Sequence, residues 1–179
     1  LLNISLGELS SSNGKIQLEQ GVVLSGGKLT VPNSTLVIGH QFNKSGGSAN
    51  LAGASLQLYS DLSLTSDTLL SVQSLDLNQQ KLTLSDGGSD LEIQNLLEID
   101  HANEGLITGD ADLKLKQGIS ISAGEVISTA GTVAIKGASS LSSGTLSVSS
   151  GTLALGGSFE KNGGTLSFSD SSFTLLDKG

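Results

Sequence analysis

The chain has 179 residues, 24 of them glycine, with one tyrosine, four phenylalanines, no tryptophan, methionine or cysteine, and a formal net charge of −8. The missing cysteine excludes disulfide staples, thiol catalysis and thiolate zinc sites. The acid excess, in which every positive side chain is a lysine, excludes binding that neutralises nucleic-acid phosphates, and no apolar run reaches the ~20 residues of a membrane helix.

From the first residue the chain reads as short apolar–polar alternations bounded by Gly, Ser or Asn. The pairs are Ile4/Leu6, Ile16/Leu18, Leu29/Val31 and Leu36/Ile38, then Leu56/Leu58, Leu62/Leu64, Leu70/Val72, Leu75/Leu77, Leu82/Leu84, Leu91/Ile93 and Leu97/Ile99. Each predicts a short strand with one side chain inward and the next outward. No 3.6-residue period competes, and the glycine content penalises helices.

From Gly105 onward the pattern repeats every twenty residues. Leu106, Val126, Leu146 and Leu166 form one column, and Leu113, Val133, Leu153 and Phe173 another. Gly124, Gly144 and Gly164 form a third; Gly131/Gly151 and Gly137/Gly157 add two more. Self-similarity at a fixed period is the mark of a stacked solenoid. Three strands per period predict a three-faced parallel β-solenoid of about eight coils, one domain over residues 1–179. Its pattern begins and ends in mid-repeat, as expected of a piece of a longer repeat protein. A narrow interior filled by aliphatic side chains explains the scarcity of aromatic rings.

Reading backwards, the spacing predicts coils at 81–104, 61–80, 35–60 and 15–34, two of them lengthened by inserts at corners. One insert runs from Gly39 to Ser48 and the other from Ser85 to Asp90. The first carries His40, Phe42 and Lys44 on what reads as flexible backbone, and these three are the candidate partner-binding residues. Phe159, Phe168 and Phe173 read as a wider core in the last two coils. Around Ile107 and Ile127 the inward residue is ambiguous, because each neighbours a column residue.

Catalytic candidates are few. Asp100 and His101 are adjacent, with Glu98 and Glu104 nearby and Asp110 and Asp112 beyond. They read first as solvated corner residues; the alternative is a saccharide groove along one face, with paired carboxylates. Asp86-Gly87-Gly88-Ser89-Asp90 is a faint echo of a calcium-binding β-roll, but it does not recur and the period is twenty, not nine. No G-x-S-x-G elbow and no phosphate loop occurs. No cofactor and no metal site is expected.

The run Gly144-Thr145-Leu146-Ser147-Val148-Ser149-Ser150-Gly151-Thr152-Leu153-Ala154-Leu155-Gly156-Gly157, echoed at Gly163-Gly164-Thr165-Leu166-Ser167-Phe168, resembles the shafts of filamentous-haemagglutinin-like exoproteins of two-partner secretion and autotransporter passengers. The resemblance implies a right-handed parallel β-helix, exported and folded outside a bacterial cell, with a structural or adhesive role. It also implies a surface receptor or glycan as partner. The expectation is therefore a non-catalytic shaft segment without membrane insertion; a carbohydrate-binding or polysaccharide-processing β-helix is the alternative, and a filament built by end-to-end self-association the second.

Overall fold

The computed structural model describes residues 1–66, 70–84 and 90–176. Among them the chain is all-β, with 24 strands, no helix, and every strand pairing parallel. Each coil climbs over three faces, in most coils with one strand on each. In one coil these are Ile119–Ile121, Glu125–Ser128 and Thr132–Ile135; in the next, Ser139–Leu141, Thr145–Ser149 and Thr152–Leu155. First-face strands begin at residues 15, 35, 55, 74, 97, 119, 139 and 159, steps of 20, 20, 19, 23, 22, 20 and 20 residues. Eight coils result, preceded by a partial one formed by Leu2–Ile4 and Glu8–Ser10.

Parallel pairing in zero shift places like on like. Leu106 pairs with Val126, Val126 with Leu146, and Leu146 with Leu166. On the third face Leu91, Leu113, Val133, Leu153 and Phe173 follow one another. These columns merge into one buried core, each fully buried aliphatic contributing roughly 1.5–3 kcal/mol. The ambiguity at Ile107 and Ile127 is resolved by stacking against the neighbouring coils. Leu106 and Thr108, Val126 and Ser128 point inward, while Ile107 and Ile127 are half-buried on the outside.

The glycine column has a specific cause. Gly124, Gly144 and Gly164 all adopt positive φ, at 61°, 67° and 63°, in the left-handed region where a Cβ is disfavoured. A Cβ on Gly144 would also lie 2.5 Å from the carbonyl oxygen of Ala123 in the coil before. One corner repeated in register therefore demands the same residue once per coil.

The structure departs from several expectations. Residues 39–48 are no insert: Thr35–Lys44 and Ser55–Ser66 are single long strands that bend from the first face to the second, with a register irregularity between Ile38 and His40. These two coils take the bend within a strand instead of at a turn, and both keep ordinary length. The lengthened coils are the 23- and 22-residue steps beginning at residues 74 and 97; the first contains the second expected insert, whose residues 85–89 lie outside the described residues. Leu6 is not a core residue but is 88% exposed, because the inward pair of that strand is Leu2 and Ile4, stacked on Val22 and Leu24.

The phenylalanines near the C-terminal end do follow inward columns, Phe168 beneath Val148 and Phe173 beneath Leu153. They do not form a wider closed core. Phe168 and Phe173 are 43% and 57% exposed, since no further coil covers them among the described residues. The largest fully buried side chain belongs to Phe42.

Candidate functional site

The three predicted partner-binding residues separate. Phe42 is 1% exposed and packs inward between Val22 and Leu64, so it cannot be the exposed tip of a loop. Lys44 lies in line with Leu24 at the end of the same strand and is half-buried. His40 alone is exposed; its φ of 61° marks the bend, and its backbone N–H donates to Ser60 Oγ at 3.1 Å. Twenty-residue arithmetic was the missed signal, because residue 42 falls one coil below Val22.

The acidic candidates are held at different corners. Asp100 and His101 precede Gly105–Thr108, and Asp110 and Asp112 follow it, so a strand of about 10 Å separates the two groups. Glu104 is buried, and its carboxylate accepts three backbone N–H bonds: from Gln79 at 3.2 Å, Asp100 at 2.9 Å and His101 at 3.3 Å. Asp112 Oδ1 accepts the N–H of Thr132 at 2.8 Å, and the Asp112 N–H donates to Asp90 Oδ1 at 3.0 Å. Asp61 Oδ1 takes the N–H of Lys81 at 2.8 Å in the same manner. These carboxylates join one coil to the next where a corner leaves an amide without a ladder partner. Asp100, Asp110 and Glu98 are exposed. Among the described residues no three His, Cys, Asp or Glu side chains converge as a metal site.

The corner between the first and second faces collects what chemistry there is. Both histidines and the single tyrosine lie along it: His40 and Tyr59 at the bends of the two long strands, His101 in the turn before Gly105. Two adjoining depressions, of about 420 and 400 Å³, run down this edge and share Lys81 and Ala102. Their low ground is formed by Ala102, Ala123, Gly124 and Gly144. Lys81 and Glu125 stand over it as an ion pair, Nζ to Oε1 at 2.7 Å.

That pair depends on Gly105. In the ladder Lys81 is followed by Gly105 and then by Glu125, so the two charged residues are two coils apart, about 9.6 Å by strand spacing. With no side chain between them their stems converge; a Cβ on Gly105 would lie 3.3 Å from Lys81 Cγ and 3.4 Å from Glu125 Cγ. The hydrogen bond and charge of Glu125, aided by Asp61, raise the Lys81 ammonium above the ordinary lysine pKa against a smaller opposing effect of burial.

A second polar cluster occupies the outer side of the third face. Glu92 meets Lys116 at 3.1 Å and accepts from Gln94 at 2.6 Å, while Lys114 lies 3.8 Å from Asp90. Burial pushes the Glu92 carboxyl up, but the hydrogen bonds from Lys116 and Gln94 and the charges of Lys116 and Lys114 outweigh it and leave the group below the ordinary carboxylate range.

Comparison of the chain with protein-family models, with curated proteins and with solved structures gives no match in any of the three.

Proposed function

We propose that this chain is a structural shaft segment of a secreted or surface-exposed bacterial protein, non-catalytic, which spaces other parts of the molecule and presents a contact surface. The observation that supports it is the eight-coil parallel stack, in which the carboxylates of Asp61, Asp90, Asp112 and Glu104 are engaged as inter-coil acceptors of backbone N–H groups. A carboxylate that holds the next coil's amide is poorly placed to take up a substrate proton. Parallel ladders along an axis resist bending and extension together, which suits a spacer. The likeness of the Gly-Thr-Leu-Ser pattern to exoprotein and autotransporter shafts supports the extracellular setting of this reading.

The decisive assay is incubation with neutral and uronate-containing polysaccharides, read by reducing-end release. No release is expected. Turnover that disappears in Asp112→Asn, with the fold retained, would replace the shaft by a polysaccharide-processing enzyme.

A further inference from the structure

We infer that the edge between the first and second faces is a binding groove for a neutral, hydroxyl-rich polysaccharide laid along the solenoid axis. The inference deepens the shaft reading, on which it rests, by naming where the contact surface lies and what chemistry it accepts.

The two depressions adjoin through Lys81 and Ala102, so the channel continues from Asp61 in the third coil to Thr145 in the seventh. Four inter-coil steps make it about 19 Å long, room for several sugar units but far more than a small metabolite needs. It is shallow and polar, unlike the enclosed apolar pockets that hold drug-sized ligands.

The side-chain amides of Gln79 and Asn103 and the hydroxyls of Ser143 and Thr145 line the channel and make no hydrogen bond among the described residues. Amides and hydroxyls both donate and accept, the pairing that sugar hydroxyls require.

Lys81 is neutralised by Glu125, which leaves Asp61 as the uncompensated charge on the channel. A polyanion such as a uronate chain or a nucleic acid meets repulsion there, within a protein of net charge −8. A neutral chain does not.

At the upper end of the channel stands Tyr59, 48% exposed and two residues before Asp61. Asn78, the neighbour of Gln79, donates to the carbonyl of Leu58, which places Tyr59 one coil above Gln79. An exposed ring with an apolar face and a polar tip suits the apolar face and rim hydroxyls of a sugar.

The test uses the full chain and linear neutral hexose hexamers (β-1,4-glucan, α-1,4-glucan and β-1,4-mannan), with a hexauronate as the charged comparison. Amide chemical shifts and calorimetry are recorded for the wild type, Tyr59→Ala/Asn103→Ala, Ala102→Arg and, on the opposite side, Lys136→Ala. Saturable binding of at least one neutral hexamer is expected, with shifts centred on residues 79, 103 and 143. Affinity should fall about tenfold or more in the double variant and in Ala102→Arg, and stay unchanged in Lys136→Ala, at equal melting temperature. Absence of millimolar binding by every neutral hexamer, preference for the hexauronate, or binding unaffected by the channel variants overturns the groove. Each of those results leaves the shaft reading standing, whereas sugar release from any polymer overturns the shaft reading.

Discussion

At the scale of single residues, the most informative groups are the two hydroxyls that the core encloses. Thr108 Oγ1 and Ser128 Oγ are fully buried and have no hydrogen-bond partner. They continue an inward column that runs Leu64, Leu84, Thr108, Ser128, Val148 and Phe168, so both occupy places where neighbouring coils put hydrocarbon. A buried hydroxyl left unpaired costs about 1–3 kcal/mol. Thr108→Val keeps the shape and removes the cost; it should raise unfolding free energy by about 1 kcal/mol in urea titration, and a loss of that size would reveal an enclosed hydrogen-bond partner. Phe42 predicts the reverse. As the largest fully buried side chain, its truncation in Phe42→Ala should cost about 3–5 kcal/mol by the same titration, whereas a surface-loop residue would cost less than about 0.5 kcal/mol. The comparison of the two numbers checks the placement of the whole 39–44 segment.

At the scale of elements, strands are tied to the next coil by two devices, the backbone ladder along each face and carboxylates at the corners. Asp112→Ala removes the acceptor of the Thr132 N–H and should cost about 1–2 kcal/mol, seen as faster amide exchange at residue 132 with residue 152 unaffected. The Glu92 cluster adds a pH signature. Its folded pKa lies below the ordinary value, so the carboxylate's contribution is fully present above the unfolded pKa of about 4.3. It is lost as pH falls through the lower folded value. Glu92→Gln should therefore flatten the acid limb of the stability curve below about pH 4.5, by no more than about 1 kcal/mol for so small a network. Lys81 works in the opposite sense: its raised pKa stabilises below the ordinary lysine value and is lost only in strong alkali.

At the scale of the molecule, the fold is close to one-dimensional, since apart from the Lys81–Glu125 pair, which reaches across one coil, the ladder and corner bonds described above join each coil to the next. Stability then approximates a sum over coils and interfaces, and the ends open first. Native-state hydrogen exchange should show protection rising from the first strand, Leu2–Ile4, to a plateau over residues 91–148 and falling again through Thr165–Ser169 and Ser172–Leu175. A flat profile would mean all-or-none cooperativity, as in a compact globule. The exposed Phe168, Phe173 and Leu175 mark the same gradient at the side-chain level.

Period and alternation, both read along the chain, were enough for the all-β class, the three strands per coil, the coil number and the columns from Leu106 to Leu166. Each is local: strict alternation selects a strand, and glycine recurring every twenty residues selects a repeated corner. They also settled that Gly124, Gly144 and Gly164 are equivalent. What they could not settle is how a coil turns its corner. A turn and a bent strand have similar composition, so Gly39-His40 read as the start of a loop, and Phe42 passed for an exposed ring when it lies one period below Val22. Nor does alternation say which of two adjacent apolar residues is inward, as at Leu106 and Ile107, until the neighbouring coil occupies one side. The edge groove is wholly a tertiary feature. Asp61, Gln79, Lys81, Asn103, Glu125 and Thr145 are spread over five coils, and only stacking at a common register brings them to one line.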